Sequence, residues 1–400
     1  MPDKLKPVVI IGAGLAGLAC ALTLKKNNVP YILIEKLDDV GGRLQTTRTP
    51  DGFLLDHGFQ VLLTSYPELK NFIDLKSLKL RSFYSGAILY TEEKNQLLAN
   101  PLRHPQHLLN QVISTTASLK DKLLVLALVI KCQTSTINDF ENETTLQFLK
   151  AFGFSKYFID TFWIPFLAGV YLDTSLHVDA SFFMFLMKNF SLGQVALPAD
   201  GMQEIPRQML EKLGSQFLKL NATVSEIKAD QVILENGEII EAKNVVCAFN
   251  SAPELDSNYQ SVINYYFSTA ENLNWDRWLV LVPPKMGLSI NNLTLLNKVA
   301  PTYAKNNQNL ISVSIVGSKD PGVEVIQKEI CLIARKPIDL KFINKFVINK
   351  ALPKKYATKN FEIIQGIYYC GDHQVNPSIN GALQSGCILG EQLAKLTKNN

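Results

Sequence analysis

The chain has 400 residues, 47% of them hydrophobic and 19% charged. That excludes intrinsic disorder, collagen and coiled coil, and leaves room for two or three domains, a large core and an internal ligand pocket. Forty basic against 36 acidic residues give a net charge of +4, too weak a balance to argue for a nucleic-acid partner.

Taken in chain order, Val8-Val9-Ile10-Ile11 is a β-branched run suited to a strand buried on both faces. It leads into Gly12-Ala13-Gly14-Leu15-Ala16-Gly17. A helical stretch follows over Leu18–Lys26, closed by Asn27, Asn28 and Pro30. Tyr31–Ile34 reads as a second strand that ends on Glu35, 23 positions after Gly12. Strand, GxGxxG, helix, strand and acid together predict a dinucleotide site. Gly12 permits the tight turn, Gly14 lets backbone approach a pyrophosphate, and Gly17 lets the helix pack on the strand. The helix N-terminus, with Leu15 and Ala16, offers free N–H groups to the anion. Glu35 can accept from ribose hydroxyls, with Lys36 beside it. An acid here disfavours a 2′-phosphate.

Asp38-Asp39-Val40-Gly41-Gly42-Arg43 comes next. In this position it resembles the second glycine motif of the FAD-dependent amine oxidase, phytoene desaturase and protoporphyrinogen oxidase superfamily. The resemblance implies that Gly41, Gly42 and Arg43 lie against the FAD phosphates. Gly52 to Gln60 resembles the family element that crosses near the isoalloxazine, which makes Gly58, Phe59 and Gln60 candidates for the flavin face. His57 is read as a packed loop residue.

The middle of the chain holds two apolar, aromatic stretches, Phe162–Tyr171 and Phe182–Met187, read as helix core with a second use as cavity lining. A helix over Gln203–Leu218 precedes a strand over Ala222–Ile227, a hairpin turning at Asn236-Gly237 and a buried strand over Asn244–Ala248. By the resemblance, the backbone of Val224 meets the adenine. Strands at Trp278–Val282 and Leu310–Val316 and a helix at Val323–Leu332 follow.

Near the C-terminus, Ile367–Cys370 reads as a buried strand running into Gly371-Asp372, and a helix begins around Asn380-Gly381-Ala382. This is similar to the C-terminal FAD signature of the same superfamily. It implies that Asp372 bonds the ribityl or phosphate side, and that the helix N-terminus at Asn380, Gly381 and Ala382 faces the pyrimidine edge.

The fold class expected is α/β, a discontinuous Rossmann-like FAD-binding domain interleaved with an α+β substrate domain. The first takes residues 1–62, 200–253 and 360–400; the second takes 63–199, expected to be mostly helical, and 254–359. The activity implied is an FAD-dependent oxidation or desaturation of a hydrophobic or amphipathic small molecule by hydride transfer to flavin N5. Two other readings stay open: a redox-neutral polyene isomerase, and a non-catalytic lipid or isoprenoid escort of the same fold. No catalytic side chain is identified, and Lys285 is only a weak counterpart of the flavin-N5 lysine of true amine oxidases. His104 and His107 lack metal-ligand company, so no metal is expected, and the six scattered cysteines suit a reducing compartment. The longest charge-free apolar run in the middle of the chain, Leu123–Ile130, is too short to span a membrane. A cytoplasmic protein is expected. Peripheral membrane contact is permitted, but the 123–130 helix is read as packed.

Overall fold

The computed structural model describes residues 6–100, 103–107, 117–135, 140, 143–249, 259–305, 308–354 and 363–398. Strand β1 (Val8–Ile11), helix α1 (Leu15–Lys26) and strand β2 (Tyr31–Ile34) form the expected unit. They belong to a six-stranded sheet ordered Leu218–Lys219, β2, β1, Asn244–Cys247, Ile367–Tyr369 and Ile363–Ile364. All neighbours are parallel except the last pair. The alternation of β1 explains its continuous apolar run. Val8 and Ile10 join the core that contains α1, whereas Val9 and Ile11 join a separate cluster with Val232, Leu234 and Ile240. Those last residues come from a three-stranded antiparallel sheet of Val224–Ile227, Gln231–Leu234 and Ile239–Glu241.

Helix α1 is apolar almost all round because it has neighbours on opposite sides. One is the sheet and the other is the C-terminal helix Ile379–Lys398. The two helices touch through glycine. A β-carbon on Gly386 would lie 2.1 Å from the Ala16 carbonyl oxygen, and one on Gly390 would lie 3.0 Å from that of Cys20.

A seven-stranded sheet stands opposite. Its order is Lys341–Pro353, Tyr259–Thr269, Asn309–Val316, Asn292–Leu295, Leu279–Leu281, Gly86–Leu89 and Gln96–Ala99. The outer face, with Ile263, Tyr265, Phe267, Leu293, Val313 and Ile315, buries Ile326, Ile330 and Ile333 of the helix Val323–Ala334. The 63–199 stretch is mostly helical, as expected, and also contributes two strands to this sheet. One boundary is corrected here. The helix predicted to reach Leu218 stops at Leu213, since Gly214 adopts φ +78° and Leu218–Lys219 pairs with β2.

One carboxylate links the two halves. Asp56 is 2% exposed. Its Oδ1 accepts from the Thr46 hydroxyl at 2.6 Å and the Met202 N–H at 2.9 Å, and its Oδ2 accepts from the Tyr303 hydroxyl at 2.7 Å. The Tyr266 hydroxyl donates to the Asp56 carbonyl at 2.7 Å. Burial pushes the Asp56 carboxyl above the ordinary carboxylate range, although these donors oppose the rise.

Two predictions follow from the packing. Gly386→Val forces a side chain onto the α1 backbone and should destabilise the protein by about 1–3 kcal/mol in urea denaturation; an unchanged midpoint would refute the contact. For Asp56, a folded value above the unfolded one means that the native state binds the proton more tightly. That contribution is complete below the unfolded value of about 3.9 and is lost as pH rises through the folded value. The stability of the wild type minus that of Asp56→Asn should therefore fall as pH rises from about 4, then level off. A pH-independent difference would show that Asp56 does not titrate in this way.

Candidate functional site

The site is built where the first and last motifs meet. Helix α1 begins on Gly14, with no side-chain cap and no acid in its first turn. The N–H groups of Leu15, Ala16 and Gly17 lack helical partners by position, and no partner is found for them among the described residues. Gly12 adopts φ +102°, open to a glycine and strained for other residues. A β-carbon on Gly17 would stand 1.9 Å from the Gly12 carbonyl oxygen, so the third glycine lets the helix start where it does.

Glu35 is 6% exposed at the end of β2. Its Oε2 accepts from the Ala13 N–H at 2.8 Å and its Oε1 from the Leu37 N–H at 3.1 Å. The acid thus closes the glycine loop from behind and keeps lone pairs for other donors. Lys36 is exposed beside it, and Val224 is half-buried in the adjoining three-stranded sheet.

The second glycine motif lies directly on the first. The Gly41 N–H donates to the Ala13 carbonyl at 3.0 Å, and Gly14 and Gly41 form an isolated bridge. A β-carbon on Gly42 would lie 3.2 Å from the Gly14 Cα. Arg43, expected at the phosphates, and Asp372, expected at the ribityl or phosphate side, pair with each other: guanidinium Nη2 to carboxylate Oδ1 is 2.7 Å. Arg43 also donates to the Ala351 carbonyl at 2.7 Å. The ion pair joins the N-terminal and C-terminal motifs. Gly371 donates to the Ser385 hydroxyl at 2.9 Å, which holds the strand end against the C-terminal helix.

The expected flavin-face loop follows Asp56. Gly58 is buried against Ile348, Phe59 meets Phe83 edge-on, and Gln60 donates to the Arg43 carbonyl at 2.8 Å. The Gln60 Oε1 and the Gln374 Oε1 are buried with no partner among the described residues. His57 stacks on Phe346 at 4.2 Å with Nε2 2.8 Å from the Thr47 hydroxyl, and burial lowers its pKa, which favours the neutral ring.

At the C-terminal helix the first-turn donors are largely engaged. Gly381 donates to the Ser378 hydroxyl at 2.9 Å, and Ala382 donates to the Ser378 carbonyl at 3.0 Å. The Asn380 side chain accepts from the Glu68 N–H at 3.0 Å. Gly381 is needed for closeness: a β-carbon would sit 2.1 Å from the Asn376 carbonyl oxygen.

Other sequence candidates are placed elsewhere. Lys285 is exposed, 5.0 Å above the Tyr157 ring, and is not brought to the Gly58 loop. His104 accepts from the Ser85 N–H at 3.0 Å and packs on Tyr84 and Trp278. The sequence reading noted Asp56 only as the acid of the acid-x-Gly element and missed Tyr266, Tyr303 and Gln374. An acid two residues before a glycine is a faint signal for Asp56, and the tyrosines give none.

These residues fit FAD. An open, uncapped helix N-terminus suits a pyrophosphate, the glycine pairs leave room for backbone approach, and buried unpaired carbonyl oxygens of Gln60 and Gln374 await donors.

Comparison with known proteins agrees. Residues 15–254 match the sequence profile of the flavin-containing amine oxidoreductases. The mitochondrial protoporphyrinogen oxidase of Nicotiana tabacum is 22% identical over 480 aligned residues, covering 96% of this chain and 93% of that protein. A 15-cis-phytoene desaturase of Narcissus pseudonarcissus is 36% identical over 70 residues, 18% of this chain and 12% of that one. The crystal structure of an oxidoreductase from Methanosarcina mazei has a TM-score of 0.72 at 17% identity, over 96% of this chain and 100% of that one, and shows the shared α/β fold. With more than half of its length matched, the chain belongs to the flavin-containing amine oxidoreductase family and is an FAD-dependent oxidoreductase.

Proposed function

We propose that this oxidoreductase oxidises or desaturates a hydrophobic or amphipathic small molecule. The observation that carries the reading is the density of apolar, aromatic side chains on the helices that pack against the seven-stranded sheet, where Phe162 and Phe166 meet Ala87, Leu89 and Leu281. Phe158, Phe162, Trp163 and Phe166 contact one another in series, and Trp163 meets Phe183 at 5.6 Å. When bound, FAD supplies the two-electron acceptor, taking a hydride at N5.

The chain's own part is to hold and to exclude. Leu15, Ala16 and Gly17, with Gly12 and Gly14, would hold the pyrophosphate, and Glu35 and Lys36 the adenosine ribose side. Val224 would meet the adenine. Gly41, Gly42 and the Arg43–Asp372 pair, reached through Gly371, would hold the phosphate and ribityl side. Gly58, Phe59 and Gln60 would lie against the ring, with Asn380, Gly381 and Ala382 at its pyrimidine edge. The aromatic wall keeps water away. His57, stacked on Phe346 with Nε2 against the Thr47 hydroxyl, is given no role in proton transfer, which suits a substrate whose cation is stabilised after hydride loss. The domain division stated above is proposed with it and is supported by which segments enter each sheet; its boundaries at 253 and 360 lie outside the described residues.

We also propose contact with an anionic membrane surface. The 123–130 run proves only partly packed, which corrects the sequence reading. On the helix Leu119–Thr134, Leu119, Leu123, Leu126 and Ile130 form one face and are 74%, 58%, 46% and 64% exposed. Lys120, Lys122 and Lys131 accompany them, while Asp121 is buried, accepting from the Ser118 and Ser155 hydroxyls at 2.6 and 2.8 Å. An apolar face with lysines at its margin suits anionic lipid. No helix among the described residues is long and apolar enough to cross a membrane.

The purified protein should be yellow, and Glu35→Gln should weaken FAD binding about tenfold, read by flavin fluorescence. Anaerobic mixing with candidate polyenes, tetrapyrroles and hydrophobic amines should bleach the flavin band with at least one. Product without bleaching would favour isomerisation, and no response from any would remove the apolar-substrate reading. The double variant Leu123→Glu, Ile130→Glu should lose flotation with phosphatidylserine vesicles while staying yellow; equal flotation would overturn the membrane contact.

A further inference from the structure

The turn that carries Gly41-Gly42-Arg43 has little stiffness of its own, since Gly41 and Gly42 adopt φ +135° and +59°. One buried side chain from a distant part of the chain grips it on both sides. Gln203, 5% exposed, immediately precedes the helix Glu204–Leu213. Its Oε1 accepts from the Thr46 N–H at 3.0 Å, just after the turn. Its Nε2 donates to the Asp39 carboxylate and to the Val40 carbonyl, both at 3.1 Å, just before the turn. The Gln203 backbone N–H adds a bond to the Thr46 hydroxyl at 3.1 Å.

An amide on a glutamine-length arm meets these partners together. Its oxygen faces a donor and its nitrogen faces two acceptors, so both amide hydrogens are used. A carboxylate here would set a second negative oxygen against the Val40 carbonyl and the Asp39 carboxylate, with neither bond replaced. The first turn of the helix adds to the grip. Arg207 donates from Nε and Nη2 to the same Asp39 oxygen at 3.0 and 2.8 Å, and pairs with Glu204 at 3.1 Å. Arg207 is 45% exposed and screened by water, so the buried amide is the stronger hold. Met202, beside Gln203, donates to Asp56, which leads into the Gly58 loop. Two consecutive residues thus meet both the segment around Gly41–Arg43 and the segment before Gly58.

We propose that Gln203 is the positioning residue that presents Gly41-Gly42-Arg43 to FAD. The proposal rests on the reading of that turn as the holder of the FAD phosphates. Gln203 acts through the turn and does not touch the cofactor, because its amide is spent on Asp39, Val40 and Thr46. Without the amide, the Val40 carbonyl and the Thr46 N–H each lose a partner in a place closed to water, which is costly unless the backbone moves. Movement of that backbone carries Arg43 away from Asp372, its partner at 2.7 Å.

The test reads FAD dissociation constants from the fluorescence of flavin released on diluting the FAD-loaded full chain. Gln203→Met, of similar length and without an amide, should weaken FAD binding about tenfold. Arg43→Ala should weaken it by a similar factor. In the double variant the loss due to Gln203→Met should shrink to about twofold, because the turn no longer has a guanidinium to present. Gln203→Glu, which keeps the acceptor for Thr46 and lacks both donors, gives the same reading should the methionine variant not accumulate. Unchanged affinity in both Gln203 variants would overturn the positioning role and leave the phosphate reading of the turn standing. So would an equal loss with and without Arg43, the mark of a merely structural residue. Unchanged affinity in Arg43→Ala would overturn the two together.

Discussion

Backbone meeting backbone without an intervening β-carbon is the constraint on which the rest of this structure depends. It occurs between Gly17 and the Gly12 carbonyl, between Gly42 and Gly14, and between Gly386 and the α1 backbone. The first lets α1 start at the end of β1. The second lays one glycine turn against another. The third clamps the C-terminal helix onto α1, so residues more than 300 positions apart border one site. The Arg43–Asp372 pair then ties the same two motifs side chain to side chain. Such a site is assembled only when the whole chain has folded, because its walls come from both ends.

The second organising feature is chemical. Asp56 precedes the Gly58 loop by two residues and accepts from Thr46, Met202 and Tyr303, with Tyr266 on its carbonyl. Tyr266 and Tyr303 come from the part of the chain that carries the seven-stranded sheet, so this one buried residue sets where that sheet stands relative to the loop. The two phenols are held protonated, chiefly by burial and then by the nearby Asp56 charge. They therefore serve as donors and fix geometry. From Tyr266 the polar character continues inward along Ser312, Asn264 and Ser314, on a surface that otherwise reads as apolar core.

The aromatic stretches and the 119–134 helix show how one composition serves two ends. Trp163, Phe158 and Phe183 are buried in contact with one another, so they are core as well as wall. Leu119, Leu123, Leu126 and Ile130 are equally apolar, yet they point outward. Periodicity identifies a face on a helix; it does not say whether a neighbour covers it.

The sequence by itself determined the glycine loops, the acid after the second strand, the Gly-Asp strand end and the fold class, because their physics is local. A glycine loop between strand and helix, an acid at the end of the next strand, and a strand entering Gly-Asp each lie within a few contiguous residues. Even there it misjudged reach: the helix after Gln203 ends at Leu213. Only the tertiary structure decided that Arg43 meets Asp372, that Asp56 collects donors from 46, 202 and 303, and that a leucine stripe stays uncovered. Each of these is a relation between distant segments, set by strand register and helix packing, and no short window of sequence contains both partners.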